Sequence, residues 1–315
     1  MYLSVSREEV ATFVTAEDYQ YYWKRVKERT SSSYSRLHFG QYIATADSEV
    51  LSKLHADKLT EIARREVPLA RWKVGVTVLL EKIAGVTFVN KRRAICLFEA
   101  DFNYWTKLIF ACRMMKKARE EGGLPDDIYF RAGGHCDDAT MTKVMFCDHS
   151  KIMRHPAAIS EADLGEYYDR MAHPPTSLAM QSWGLPKNSA KIVLTALRLM
   201  QFCIRTGFGE SPELFGGTED RPFRGGGQGS GWAPPGFAAL SSIMINAYKR
   251  AGCGAEITSS YFSRVFLLAT VMYVDDTDLL HWAEIPETTD EELIEKVQWE
   301  LDVWADIVNA TGGRR

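Results

Sequence analysis

Nothing in this 315-residue sequence approaches the ~20 consecutive apolar residues that a membrane-spanning helix needs. The first ten residues, Met1 to Val10, have no apolar core and already carry Arg7, Glu8 and Glu9, so no secretory signal is read there. Cysteine is sparse. The six, at 96, 112, 136, 147, 203 and 253, are scattered, most of them inside apolar runs such as Ala94-Ile95-Cys96-Leu97. That usage fits small buried side chains in a reducing compartment and speaks against a disulfide framework. No internal repeat and no low-complexity tract stands out. The expectation is a soluble, intracellular chain with no membrane partner, long enough to build an ample core.

Strong charge of one sign is also lacking: the net charge is −3, with 46% hydrophobic and 25% charged residues. The sum conceals a polarity. Residues 61–120 hold thirteen Lys/Arg against six Asp/Glu, and residues 276–315 hold three against eleven. A local basic region grips phosphates whatever the total charge, and on charge alone a solvated helix face explains it equally well. The same two readings apply to Arg113, Lys116, Lys117 and Arg119.

What is present is a mixture of helix and strand patterns. Glycine is concentrated between Gly216 and Gly231, around Arg224-Gly225-Gly226-Gly227-Gln228-Gly229, which predicts a loop. Beyond it, Phe237, Leu240, Met244, Ile245 and Tyr248 fall at helical spacing, with Gly252 as a stop. A helix is predicted over 104–121, ended by Gly122-Gly123. Another is predicted over 290–309, with Thr288 or Thr289 as N-cap and Leu293, Val297, Leu301, Trp304 and Val308 on its core face. Strands are predicted at Arg93–Phe98 and, as one buried run, at Val265–Tyr273. The acidic pair Asp275-Asp276 is then expected at a hairpin turn. Helices over an antiparallel sheet indicate an α+β fold.

Three features carry chemistry. In Tyr273-Val274-Asp275-Asp276, adjacent carboxylates between apolar segments repel unless a cation neutralises them, although Asp is also common in solvated turns. Asp163, at the head of Asp163-Leu164-Gly165-Glu166-Tyr167-Tyr168-Asp169, has the same two readings. Nucleotidyl transfer uses two metal ions ~4 Å apart, held by carboxylates from different segments, and Asp163 with Asp275 would supply such a set. The glycine loop lets a nucleotide approach its backbone, or it is simply a flexible loop. It lacks the Lys-Ser/Thr of a P-loop. His135-Cys136 and Cys147-Asp148-His149 offer zinc-type ligands at a spacing that fits no familiar finger.

Taken in order, Asp163, then Gly227-Gln228-Gly229, then Tyr273-Val274-Asp275-Asp276 resembles the central motif series of reverse transcriptases of the non-LTR retrotransposon and group II intron type. The family's Asp, five residues and an aromatic-Asp pair is met by Asp163 through Tyr168-Asp169. Its Gly-x-x-Gln-Gly-x-Pro-x-Ser-Pro is met by Gly225 through Pro234, with Gly231 and Ala233 in place of its first Pro and its Ser. Upstream, Val67-Pro68-Leu69-Ala70-Arg71-Trp72 through Glu81-Lys82, Arg93-Ala94-Ile95-Cys96-Leu97-Phe98, and Tyr129-Phe130-Arg131 through Asp138-Ala139 are similar to the fingers motifs. The resemblance covers about residues 65–310.

The resemblance implies a right-hand polymerase with an N-terminal helical extension at 1–60, fingers at 61–155 and a palm at 156–315. The palm would include the helix opened by the glycine loop over 216–252. It implies RNA-templated DNA synthesis for a retroelement, with an RNA template, a DNA primer and dNTPs as partners. Two Mg²⁺ ions, which Mn²⁺ can replace, would be held by Asp163, Asp275, Asp276 and the Leu164 carbonyl. Lys91 and Arg93 would bind the triphosphate, Gln228 and Gly229 would border the nascent base pair, and Tyr168 would exclude a 2′-hydroxyl. Family members continue past the counterpart of Thr311-Gly312-Gly313-Arg314-Arg315 with a thumb, so the expectation from the resemblance is fingers and palm with the thumb absent. The alternative is therefore a truncated remnant that binds RNA–DNA duplex without efficient turnover. A nuclear location follows if the chain serves a retroelement.

Overall fold

Local signals set most element ends. The Thr289 hydroxyl accepts from the Glu292 N–H (3.3 Å) while the Glu292 carboxylate accepts from the Thr289 N–H (2.8 Å), a reciprocal cap. Gly252, at φ +88°, stops the helix that follows the glycine loop. The structure, a computed structural model, describes residues 8–27, 33–86, 88–131, 133–165, 167–259, 264–283 and 285–313. Of the motif positions quoted above, Ala132, Glu166, Arg314 and Arg315 lie outside the described residues.

In chain order the elements are α1 (Ala16–Trp23), α2 (Phe39–Ala46), α3 (Glu49–Arg65), β1 (Val74–Glu81), β2 (Arg92–Leu97), α4 (Ala100–Thr106), α5 (Met115–Glu120), α6 (Cys136–Met153), β3 (Ala157–Asp163), α7 (Tyr167–Arg170), α8 (His173–Ser182), α9 (Lys187–Arg198), β4 (Gln201–Thr206), β5 (Gly209–Glu210), β6 (Phe215–Gly216), α10 (Ala233–Arg250), β7 (Ala255–Ser259), β8 (Arg264–Leu268), β9 (Thr270–Tyr273), β10 (Asp276–Trp282) and α11 (Asp290–Ala310). A π-helical stretch, Lys107–Met114, joins α4 to α5. Among the described residues no helix is long and apolar enough to cross a membrane.

By contact the chain divides into two units: Met1–Glu121 with Thr176–Phe237, and Gly122–Pro175 with Ala238–Arg315. Both are discontinuous in sequence. Unit one holds a sheet in the order β2-β1-β4-β5, with β6 also on β4. Its helical part buries Tyr19, Trp23, Tyr42, Tyr104 and Trp105 together, the Trp23 and Tyr42 rings stacking at 4.7 Å. After β2 the chain enters α4 through buried Glu99 and Asp101. Arg71 donates to both carboxylates, and Trp72 Nε1 donates to Asp101 (2.8 Å). Burial alone would raise the Asp101 carboxyl, but Arg71 and Lys58 outweigh it and hold the group low.

Unit two holds the antiparallel sheet β3-β10-β9 and the separate hairpin β7-β8. The apolar run Val265–Tyr273 is therefore two strands of two sheets, not one buried strand. Ala269 breaks it, and Val265, Phe266 and Leu267 are exposed on β8. Alternation along β3 and β10 gives the larger sheet two different faces. On one, Leu280, Trp282 and Ile159 pack against Ala139 and Phe146 of α6. On the other, His281 meets α11.

His281 and Glu300 are both fully buried, and His281 Nδ1 donates to the Glu300 carboxylate. His281 Nε2 shares a 2.9 Å hydrogen bond with Ser160 Oγ, and the Gly254 N–H lies 3.4 Å from Glu300 Oε1. Ser160, His281 and Glu300 have the atom order of an acyl-transfer triad. With two members at zero exposure, however, it is a latch between sheet and helix. Removing one partner strands the other in the core. Glu300→Ala is expected to cost on the order of 3–5 kcal/mol, read as a lower denaturant midpoint at unchanged slope. A midpoint equal to the parent's would show that the latch does not hold α11 down.

Candidate active site

Pairing register decides which acids meet. In the β9–β10 hairpin Tyr273 faces Asp276, so the turn is the two residues Val274-Asp275, and Asp276 is already the first residue of β10. The acidic pair thus straddles the turn's end and does not form the turn. Val274 takes φ +61°, the positive-φ first position of a two-residue hairpin where glycine is usual. A β-branched residue held there is strained by roughly 1–3 kcal/mol, the kind of local cost that clusters at functional sites.

On its other side β10 pairs with β3, and Asp276 lies directly opposite Asp163. Side chains opposite one another in an antiparallel pair share a face, with Cβ atoms ~4.5–5.5 Å apart. The Leu164 N–H continues the ladder to the Asp275 carbonyl at 3.4 Å, which ties the turn to the end of β3. All three aspartates are exposed. Asp163 also lines a cavity of about 390 Å³ with Leu301, Trp304 and Val308 of α11. The Leu164 carbonyl accepts from the Tyr167 N–H (3.2 Å), leaving one lone pair.

Two further acids belong to this face. Glu161 and Asp278 are also opposite one another, one pleat along, so four carboxylates form a ladder. Lys143 of α6 answers the inner pair with a 2.7 Å bridge to Asp278, and that hydrogen bond raises the lysine's pKa. The outer pair, Asp163 and Asp276, has no such cation in the bridges of the described residues. Among those residues, no group of three or more His, Cys, Asp and Glu is gathered closely enough to hold a metal alone. A site of one or two carboxylates is nevertheless what Mg²⁺ commonly uses, with water and substrate phosphates completing its shell. The donor chemistry of Asp163 and Asp276 therefore fits that ion.

Tyr168 is not on a strand. β3 stops at Asp163, and α7 carries Tyr167 and Tyr168 on one short helical turn. Tyr167 points inward, its hydroxyl bonded to Thr311 and lying 3.2 Å from the Met244 sulfur. Tyr168 is half-buried. Burial, and after it the charge of Asp275, pushes its hydroxyl up to about 12, so the ring lies in the electrostatic range of the acidic turn.

The other candidate residues belong to unit one. Lys91 ends a short helical turn, Arg93 is on β2, and both are exposed without an ion pair among the described residues. Gln228 and Gly229 lie in the loop before α10. Sequence reasoning missed Glu161, Asp278 and Lys143. The two acids stand two residues from Asp163 and Asp276, and period-two spacing would have put them on the same face.

No protein-family model matches this chain, and no curated protein matches it. Among solved structures, it is similar to apo telomerase from Candida tropicalis truncated from its C-terminal domain, at TM-score 0.49 and 13% identity over 86% of this chain. It is similar also to telomerase from Candida albicans in complex with a fragment of telomeric RNA, at TM-score 0.47 and 15% identity over 81% of this chain. The chain spans 60% and 42% of those two proteins.

Proposed function

We propose that this chain is an RNA-templated DNA polymerase that serves a retroelement. One observation carries the reading: the register that sets Asp163 opposite Asp276 at an exposed sheet end, with Asp275 and Tyr168 beside them. Mg²⁺, when bound there, supplies a lowered pKa at the primer 3′-hydroxyl and neutralises triphosphate and pyrophosphate charge. Asp163 and Asp276 present carboxylate oxygens from two strands, Asp275 adds a third from the turn, and the Leu164 carbonyl keeps one lone pair. Tyr168 is assigned to the exclusion of a ribose 2′-hydroxyl. Lys91 and Arg93 are assigned to triphosphate oxygens, where the planar fork of Arg suits bidentate contact. Gln228 and Gly229 are assigned to the nascent base pair.

The test is extension of a labelled DNA primer annealed to RNA, with dNTPs and Mg²⁺. Extension that stops when the divalent ion is chelated supports the reading. Absence of extension, or indifference to chelation, overturns it.

Lys91 and Arg93, which have no ion pair among the described residues, give with Arg92 a second expectation. Duplex affinity should fall linearly in log–log form with salt, and charge reversal at Lys91, Arg92 and Arg93 should flatten the line. Each lost phosphate contact removes about 0.9 from the slope. Arg92 is 3.8 Å from Glu81 and contributes less than its neighbours. An unchanged slope in the triple variant would place the grip elsewhere.

A further inference from the structure

The loop before α10 is held by a single side-chain amide. Asn103 of α4 accepts from the Gly231 N–H through Oδ1 at 2.9 Å and donates through Nδ2 to the Gly229 carbonyl at 3.3 Å. Both ends of one planar group are spent on peptides two residues apart. The intervening turn is tied in as well. The Gln228 carbonyl accepts from the Cys96 N–H of β2 at 2.8 Å, and Ser230 Oγ donates to the Gly226 carbonyl at 2.8 Å while accepting from the Ala233 N–H at 3.2 Å.

The glycines allow this close approach. A Cβ on residue 229 would fall 2.5 Å from the Cys96 carbonyl oxygen, and one on residue 231 would fall 2.8 Å from the Asn103 carbonyl oxygen. Asn103 itself is presented from a fixed point, because Asp101 two residues earlier is locked to Arg71 and Trp72. With the backbone so occupied, the half-buried side-chain amide of Gln228 makes no hydrogen bond among the described residues. Its donor and acceptor are both unspent.

We infer that Asn103 is a positioning residue, which fixes the 228–231 backbone so that the Gln228 amide is aimed at the incoming nucleotide or its template base. This rests on the polymerase reading of the chain. Asn103 does not touch substrate. Its action is through the loop, and the expected signature is weaker nucleotide binding with little change in the chemical step.

Asn103→Asp keeps the acceptor for Gly231 but sets a carboxylate oxygen against the Gly229 carbonyl; Asn103→Leu removes both bonds. In primer extension on RNA, each variant is expected to raise KM for the dNTP about tenfold, the scale of losing one or two neutral hydrogen bonds. The expectation for kcat is a change of less than about twofold. Hydrogen exchange of the nucleotide-free protein gives a readout independent of activity, in which the amide of Gly231 should lose protection in Asn103→Leu. Faster exchange with a raised KM and preserved kcat supports the inference. Faster exchange with unchanged KM, or unchanged exchange, overturns it. A parent chain that extends no primer fails at the polymerase reading itself, whereas a parent that extends while Asn103→Asp matches it in KM fails at Asn103 alone.

Discussion

Asp163→Asn and Asp276→Asn are each expected to lower nucleotide addition on the order of 10³-fold or more, while the fold stands. The two carboxylates face each other across the β3–β10 pair, and like charges so placed cost roughly 0.2–1 kcal/mol in the metal-free protein. Neutralising one should leave stability unchanged or slightly higher. Mg²⁺ should stabilise the parent against heat, because a ligand of the folded state shifts the unfolding equilibrium, and that shift should vanish in either variant. Asp275→Ala should behave alike. The hydrogen bond between turn and β3 runs from the Leu164 N–H to the Asp275 backbone carbonyl, so truncating the side chain removes charge and spares that tie. Activity lost together with collapsed stability would make the acids structural. Full activity in Asp163→Asn would remove the metal assignment.

The second large effect concerns sugar selection. Tyr168 shares a short helical turn with Tyr167, whose buried ring is anchored at Thr311 and Met244. The Tyr168 hydroxyl feels both burial and the charge of Asp275. On the proposed function, a ring beside the acidic turn would clash with a 2′-hydroxyl and so reject ribonucleotides. Tyr168→Val is expected to keep DNA synthesis and to erode discrimination against ribonucleotides on the order of 10²-fold. The measurement is the ratio of kcat/KM for dGTP and GTP on one RNA template. Equal ratios in parent and variant would make Tyr168 a packing residue.

Much of the fold was legible where the signal is local. The N-cap, which falls on Thr289 of the two candidates, the Gly252 stop and the buried row Phe237, Leu240, Met244, Ile245 and Tyr248 all stand as the spacing predicts. What failed was long-range. Val265–Tyr273 reads as one strand because both halves suit β-structure, and only pairing partners far along the chain reveal the break at Ala269. The acidic pair does fall at the hairpin turn, with Asp275 in it and Asp276 opening β10. The short helical turn that carries Tyr168 begins only after β3 has ended at Asp163. Nothing local joins Ser160, His281 and Glu300, since their contact exists only once β3, β10 and α11 have met. The candidate acids were visible as residue types, but the pairing of Asp163 with Asp276, and the Glu161–Asp278 rung beneath it, depends on register.

The most direct measurement is single-nucleotide extension of one DNA primer on four RNA templates that differ only at the first templating base, with each dNTP supplied in turn. The expected result is addition of the complementary dNTP alone on every template, in the presence of Mg²⁺, and no addition by Asp163→Asn. Addition of nothing on any template, or of the same nucleotide on all four, would contradict template-directed synthesis at this acidic sheet end.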